Sequence, residues 1–135
     1  MSGKIFIWLL GTVLLTTAPP ARAQQPKKVP RIGYLAGTSA SGIASRIEAF
    51  RQGLRELGYV EGKNIVIEYR YADGKADRER ELAGELVRLK VDIIISAGSA
   101  ATRPAKEATS TIPIVMTNDS DPVSTGFIGG ATDEV

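Results

Sequence analysis

The 135-residue sequence contains no cysteine and no histidine, and its single tryptophan, Trp8, stands within the first ten residues. Each absence closes a class of chemistry. Without cysteine there is no disulfide, and no thiol to carry a lipid anchor after export. Without either residue the usual zinc sites and the Ser-His and Cys-His nucleophile pairs cannot be assembled. Most hydrolase chemistries fall away, and no spaced constellation supports carboxylate-only or lysine-based catalysis. The sequence therefore leads to no catalytic residue, no metal and no cofactor. The phosphate fingerprints GxGxxG and GxxxxGK[ST] are missing as well. Nor does the third predicted strand end in the aspartate that a phospho-acceptor domain requires, since Asp92 stands at its beginning.

Long apolar runs are scarce, and the one present lies at the start. Lys4 precedes the stretch Ile5 to Leu15, and Ala21-Arg22-Ala23 fits a small-residue cleavage site, so residues 1–23 read as a secretory signal. At about 11 residues the stretch is short for a bilayer span of roughly 20. The expected product starts at Gln24, has a flexible N-terminus over residues 24–28, and is exported and soluble in the periplasm. Lys4 and Arg22 account for the formal net charge of +2, and 15 residues of each sign remain beyond them. A near-zero balance carries no footprint for nucleic acid or for an anionic membrane. The cluster Lys27, Lys28 and Arg31 reads as a solvated tail.

What remains, about 112 residues, makes one domain with one core. Val29 to Leu35 predicts a first strand, with Pro30 near its start where a missing N–H is tolerated. Gly37 to Gly42 (GTSASG) is a loop. From Ile43, the apolar residues Ile43, Ile47, Phe50, Leu54 and Leu57 recur at helical spacing on one face, and Gly58 closes that helix as a C-terminal glycine. In Asn64 to Tyr71 the residues Ile65, Ile67, Tyr69 and Tyr71 alternate with Val66, Glu68 and Arg70, the pattern of an edge strand with one buried and one wet face. Asp73-Gly74 breaks it. A charged helix follows from about Asp77 to Lys90, with Leu82, Leu86 and Leu89 inward and Arg78, Glu79, Arg80, Glu81 and Glu85 mostly outward. Val91 to Ser96 fits a central parallel strand. The third helix is expected from Thr102 to Thr109, because Pro104 is comfortable in a first turn, and Ile112 to Thr117 completes a fourth strand. Strict alternation of strand and helix predicts an α/β fold: an open parallel sheet, right-handed crossovers and helices on both faces.

In such sheets ligands bind beyond the C-terminal ends of the strands, near the point where strand order reverses. Three loops fall at that edge: Gly37 to Gly42, Gly98 to Ala101 and Asn118 to Ser124. Each is rich in small side chains, hydroxyls or backbone donors and leads toward a helix N-terminus, an end that favours anionic groups. Ala97, Gly98 and Ala100 have a second reading, close packing of helix on strand, and the sequence leaves the two open. Asp119 and Asp121 are the only carboxylates at this edge and fit loop turns and helix capping.

The phrases "RIGYLAGTSA", "FRQGLRELGYVEGKNIVIEYRYADG", "ELVRLKVDIIISAGSAATRPAKEATSTIPIV" and "DPVSTGF" resemble the N-terminal half of exported substrate-binding proteins of ABC transporters, in the TrpX-like group. The resemblance runs from Val29 to about Phe127. It implies a flavodoxin-like or Rossmann-like lobe of a type I periplasmic binding protein, in which two lobes close over a small solute such as an amino acid and present it to a membrane permease. It implies solute contacts at Thr38, Ser39, Gly98, Ser99, Ala100 and Asp121. The sequence departs from the group at Arg103 and Pro104, where a blander helix start is usual. It also ends in "IGGATDEV", where relatives continue through a fifth strand and a second lobe. Residues 29–135 are thus expected to form an incomplete N-terminal lobe, a truncated product. A nonfunctional fragment and a small exported interaction module are the alternative readings.

Overall fold

The computed structural model describes residues 28–117. The expected signal, most of the expected flexible N-terminus, and the loop carrying Asp119 and Asp121 lie outside the described residues. Among the described residues seven elements alternate without exception: β1 (Arg31–Ala36), α1 (Ala40–Glu56), β2 (Val66–Tyr71), α2 (Ala76–Arg88), β3 (Ile93–Ala97), α3 (Ser99–Ala108) and β4 (Ile114–Thr117). The strands form one sheet in the order β2-β1-β3-β4, and every pairing is parallel. No helix among the described residues is long and apolar enough to cross a membrane.

The period-two pattern of the strands divides the core between two faces. Ile32, Tyr34 and Ala36 of β1 join Ile65, Ile67 and Ile95 beneath Ile43 and Ile47 of α1. On the opposite face Leu35 and Ile94 meet Leu82, Ala83 and Leu86 of α2 and Ala101 and Ala105 of α3. Gly33 belongs to this second face, where a Cβ would stand 2.9 Å from a Leu86 methyl. A side chain there would require the Leu86 side chain to shift. β2 is an edge strand as its alternation predicts: Ile67 is buried, while Arg70 on its other face reaches Glu85 of α2 at 2.9 Å.

Four local expectations change. α1 begins at Ala40 rather than Ile43, because Ser39 caps it by accepting the Gly42 N–H at 3.1 Å. At its far end Gly58, at φ 88°, closes the helix through Gly58 N–H to the Arg55 carbonyl at 3.0 Å and Tyr59 N–H to the Leu54 carbonyl at 2.8 Å. This double closure turns the chain so that Leu57, expected on the buried face, is 76% exposed. α3 begins at Ser99 rather than Thr102, since the Gly98 carbonyl already accepts the Ala101 and Thr102 N–H groups, both at 3.1 Å. Pro104 therefore lies in the second turn and deprives the Ala100 carbonyl of its i+4 donor. Finally Glu79, expected outside, is buried at the start of α2.

Candidate functional site

The strand order reverses between β1 and β3: the chain leaves β1 toward β2 on one side and returns to β3 on the other. The loops that follow β1 and β3 diverge at this point and open a crevice at the C-terminal edge of the sheet. Its volume is about 490 Å³, and it is lined by Gly37, Thr38 and Ser39 after β1, Ile43 and Arg46 of α1, Asp73 and Gly74 after β2, Ala97 at the end of β3 and Ala100 of α3. That volume suits a small molecule, for which sites run to roughly 300–1,000 Å³.

Backbone hydrogen bonds fix the walls. Gly74 N–H donates to the Gly37 carbonyl at 2.7 Å, Ala72 N–H to Ala36 at 2.9 Å, and Gly98 N–H to Thr117 at 2.9 Å. Gly98 holds φ 90°, a conformation suited to glycine, which turns β3 directly into α3. Behind it the buried hydroxyls of Ser96 and Thr102 are 2.8 Å apart, and the Thr102 hydroxyl also donates to the Gly98 carbonyl at 3.1 Å. The small residues after β3 thus divide their work. Ala101 and Ala105 are fully buried and let α3 settle on the sheet, whereas Ala97 and Ala100 line the crevice.

Of the residues singled out from the sequence, Thr38, Ser39 and Ala100 line this crevice. Gly98 shapes it through its backbone. Ser99 opens instead into an adjoining recess with Glu79, Arg80 and Arg103. Asp121 lies outside the described residues. Sequence reasoning missed Arg46, Asp73 and Glu79. Arg46 sits on the polar side of an amphipathic helix and Asp73 in a turn signal, and neither pattern distinguishes a ligand contact from a solvated charge. Asp73 takes φ 54°, which aspartate tolerates better than most residues.

Electrostatics differ sharply among the charged groups here. Burial alone pushes the Glu79 carboxyl above its ordinary range. The side chain presses on the first loop, where a Cβ on Gly37 would meet Glu79 Oε1 at 2.9 Å and the Ala100 Cβ at 3.2 Å. Under α1, burial raises the Tyr34 hydroxyl, opposed by the Arg46 charge. The Tyr34 ring packs against Phe50 at 5.5 Å and Tyr69 at 6.0 Å between centroids. Tyr69 is pushed up to about 12 by burial, against the pull of its hydrogen bond from Arg51. Among the described residues the crevice offers hydroxyls, backbone groups, an apolar floor and one charge of each sign. Such an arrangement suits recognition of a small polar solute.

The model of the family described as ABC transporter substrate binding protein matches residues 32–133. The chain belongs to this family. A tyrosine-binding protein of Clostridioides difficile (strain R20291) is 29% identical over 102 residues, which cover 76% of this chain and 30% of that protein. Among solved structures, the ligand-free, open form of a substrate-binding protein with adhesive properties from Clostridium difficile superposes with a TM-score of 0.71 at 26% identity, over 76% of this chain and 35% of the other. A domain from Streptococcus pneumonia in complex with L-Trp shares the fold, with a TM-score of 0.70 at 21% identity, over 75% of this chain and 34% of that one. The chain spans about a third of the length of these relatives.

Proposed function

We propose that this chain supplies the N-terminal lobe of an exported, periplasmic solute-binding component of an ABC import system. The component captures an amino acid between two lobes and delivers it to a membrane permease. The observation that carries this reading is the crevice at the reversal of strand order, walled by the loops after β1 and β3 and floored by Ala97 and Ala100. A family of substrate-binding proteins and a tyrosine-binding relative support it. On this reading Thr38, Ser39, Gly98, Ser99, Ala100 and Asp121 contact the solute, and of these Thr38, Ser39 and Ala100 line the crevice.

A clamp built from two lobes divides its binding energy. If the complete site held its solute near micromolar, about 8 kcal/mol, and each lobe contributed about half, one lobe would keep only roughly millimolar affinity. Calorimetry of this chain with aromatic and branched amino acids is therefore expected to show little heat, while weak-binding methods detect the solute. Micromolar binding by the chain alone would overturn the shared-site reading. No binding even at tens of millimolar would favour a nonfunctional fragment.

A further inference from the structure

We infer that Arg46 and Asp73 read the two ends of a zwitterion, Arg46 the carboxylate and Asp73 the ammonium of an α-amino acid lying across the crevice. The inference rests on the reading of this crevice as the solute site. Among the described residues Arg46 and Asp73 are the only charged ones in its lining, one on α1 and the other after β2. Elsewhere on the described surface Arg31, Arg51, Arg55 and Arg70 each reach a carboxylate within 4.0 Å. The side chains of Arg46 and Asp73 do not: like those of Arg78, Arg80 and Arg88 they make no hydrogen bond or ion pair among the described residues, but only Arg46 and Asp73 line this crevice.

An unpaired cation and an unpaired anion facing one small cavity are complementary to a molecule carrying both charges. A guanidinium forks onto a carboxylate with two parallel hydrogen bonds, and a carboxylate accepts from an ammonium. Asp73 is held at the rim by its turn, because the next residue, Gly74, donates to the Gly37 carbonyl at 2.7 Å. In the same lining Ile43, Ala97 and Ala100 supply apolar surface for the solute side chain. A molecule with one charge would leave the other rim group without a partner, which is a basis for selecting amino acids over amines and over simple acids.

The test is an amide chemical-shift titration of the chain by NMR with three probes: L-phenylalanine, phenethylamine, which lacks the carboxylate, and 3-phenylpropionate, which lacks the ammonium. Phenylalanine is expected to bind most tightly and to shift the amides of Gly37, Thr38 and Ala100. Arg46→Gln should weaken phenylalanine and phenylpropionate by roughly five- to tenfold and leave phenethylamine unchanged, and Asp73→Asn should weaken phenylalanine and phenethylamine and spare phenylpropionate. Melting temperatures should hold in both variants, since both side chains are exposed. If phenylalanine shifts the crevice amides but each variant weakens all three probes alike, or none, the charge assignment is overturned and the solute site stands. If no probe shifts the crevice amides, the solute site fails and the assignment with it.

Discussion

The two edges of the sheet are fastened in different ways. At the N-terminal edge charged and amide side chains tie the chain down. The Asp92 carboxylate accepts the Arg31 N–H at 2.8 Å and pairs with Lys28 at 3.2 Å. Asn64 closes the turn after α1, accepting the Val60 N–H at 2.7 Å and donating to the Gly58 carbonyl at 2.8 Å. Arg51 reaches Glu61 and the Tyr69 hydroxyl, both at 3.0 Å. At the C-terminal edge the turns are held by backbone hydrogen bonds and small residues, and the charges of Arg46 and Asp73 stay uncommitted. One edge spends charged side chains on the fold, while the other holds its turns with backbone groups and hydroxyls and leaves the charges of Arg46 and Asp73 for a ligand, which is the division expected where the strand ends form a site.

Substitutions at the two edges should therefore separate stability from binding. The largest stability effect is expected from Asp92→Ala, which removes the acceptor for Arg31 and the partner of Lys28. The Arg31 N–H, then Lys28, hold the Asp92 carboxyl below its ordinary value of 3.8. A lowered folded value means that the stabilisation is present above that ordinary value and is lost as pH falls through the lowered one. Thermal melts should show a loss of several degrees for Asp92→Ala at neutral pH, shrinking as pH falls below 3.8, with the solute titration unchanged. A weakened titration at equal folded fraction would break the separation of the edges.

Glu79→Gln should act with the opposite sign and more weakly. Burial raises this carboxyl above its ordinary 4.5. Its favourable contribution is then complete below 4.5 and is lost as pH rises through the raised folded value, so the ionised group weighs against the fold at neutral pH. The variant is expected to melt up to a few degrees higher at pH 7 and level with the parent near pH 4. A lower melting temperature at pH 7 would show that the carboxylate has a stabilising partner.

Much of this organisation is legible in the sequence, because it follows from periodicity. The alternation of β2, the apolar run of β3 and the stripe Ile43, Ile47, Phe50 and Leu54 each set an element and its buried face. Helix starts are harder to read. Ser39 is at once a loop residue and a cap, and Pro104 biases the reading toward a later start for α3 because its preference for a first turn is only a preference. The face of Glu79 is hidden for a different reason. Its position on α2 is one turn before Ala83, on the inner stripe, yet its charge marks it as solvated. For the site, the loops could be placed from topology alone. Which of their residues face one cavity depends on where α1 and α3 begin, so Arg46 and Asp73 emerge only in three dimensions, and Ser99 turns into a neighbouring recess.

The central claim is that the crevice between the loops after β1 and β3 holds the solute. It is tested most directly by the affinity of Ala100→Leu for the best-binding amino acid, measured by the same NMR titration. Ala100 is exposed on α3 and lines the crevice, so a leucine side chain would occupy ligand space with little cost to packing. The account predicts at least a roughly tenfold loss of affinity with an unchanged melting temperature, as a steric block at a preformed site requires. An unchanged affinity with a lowered melting temperature would contradict it and leave Ala100 as a packing residue only.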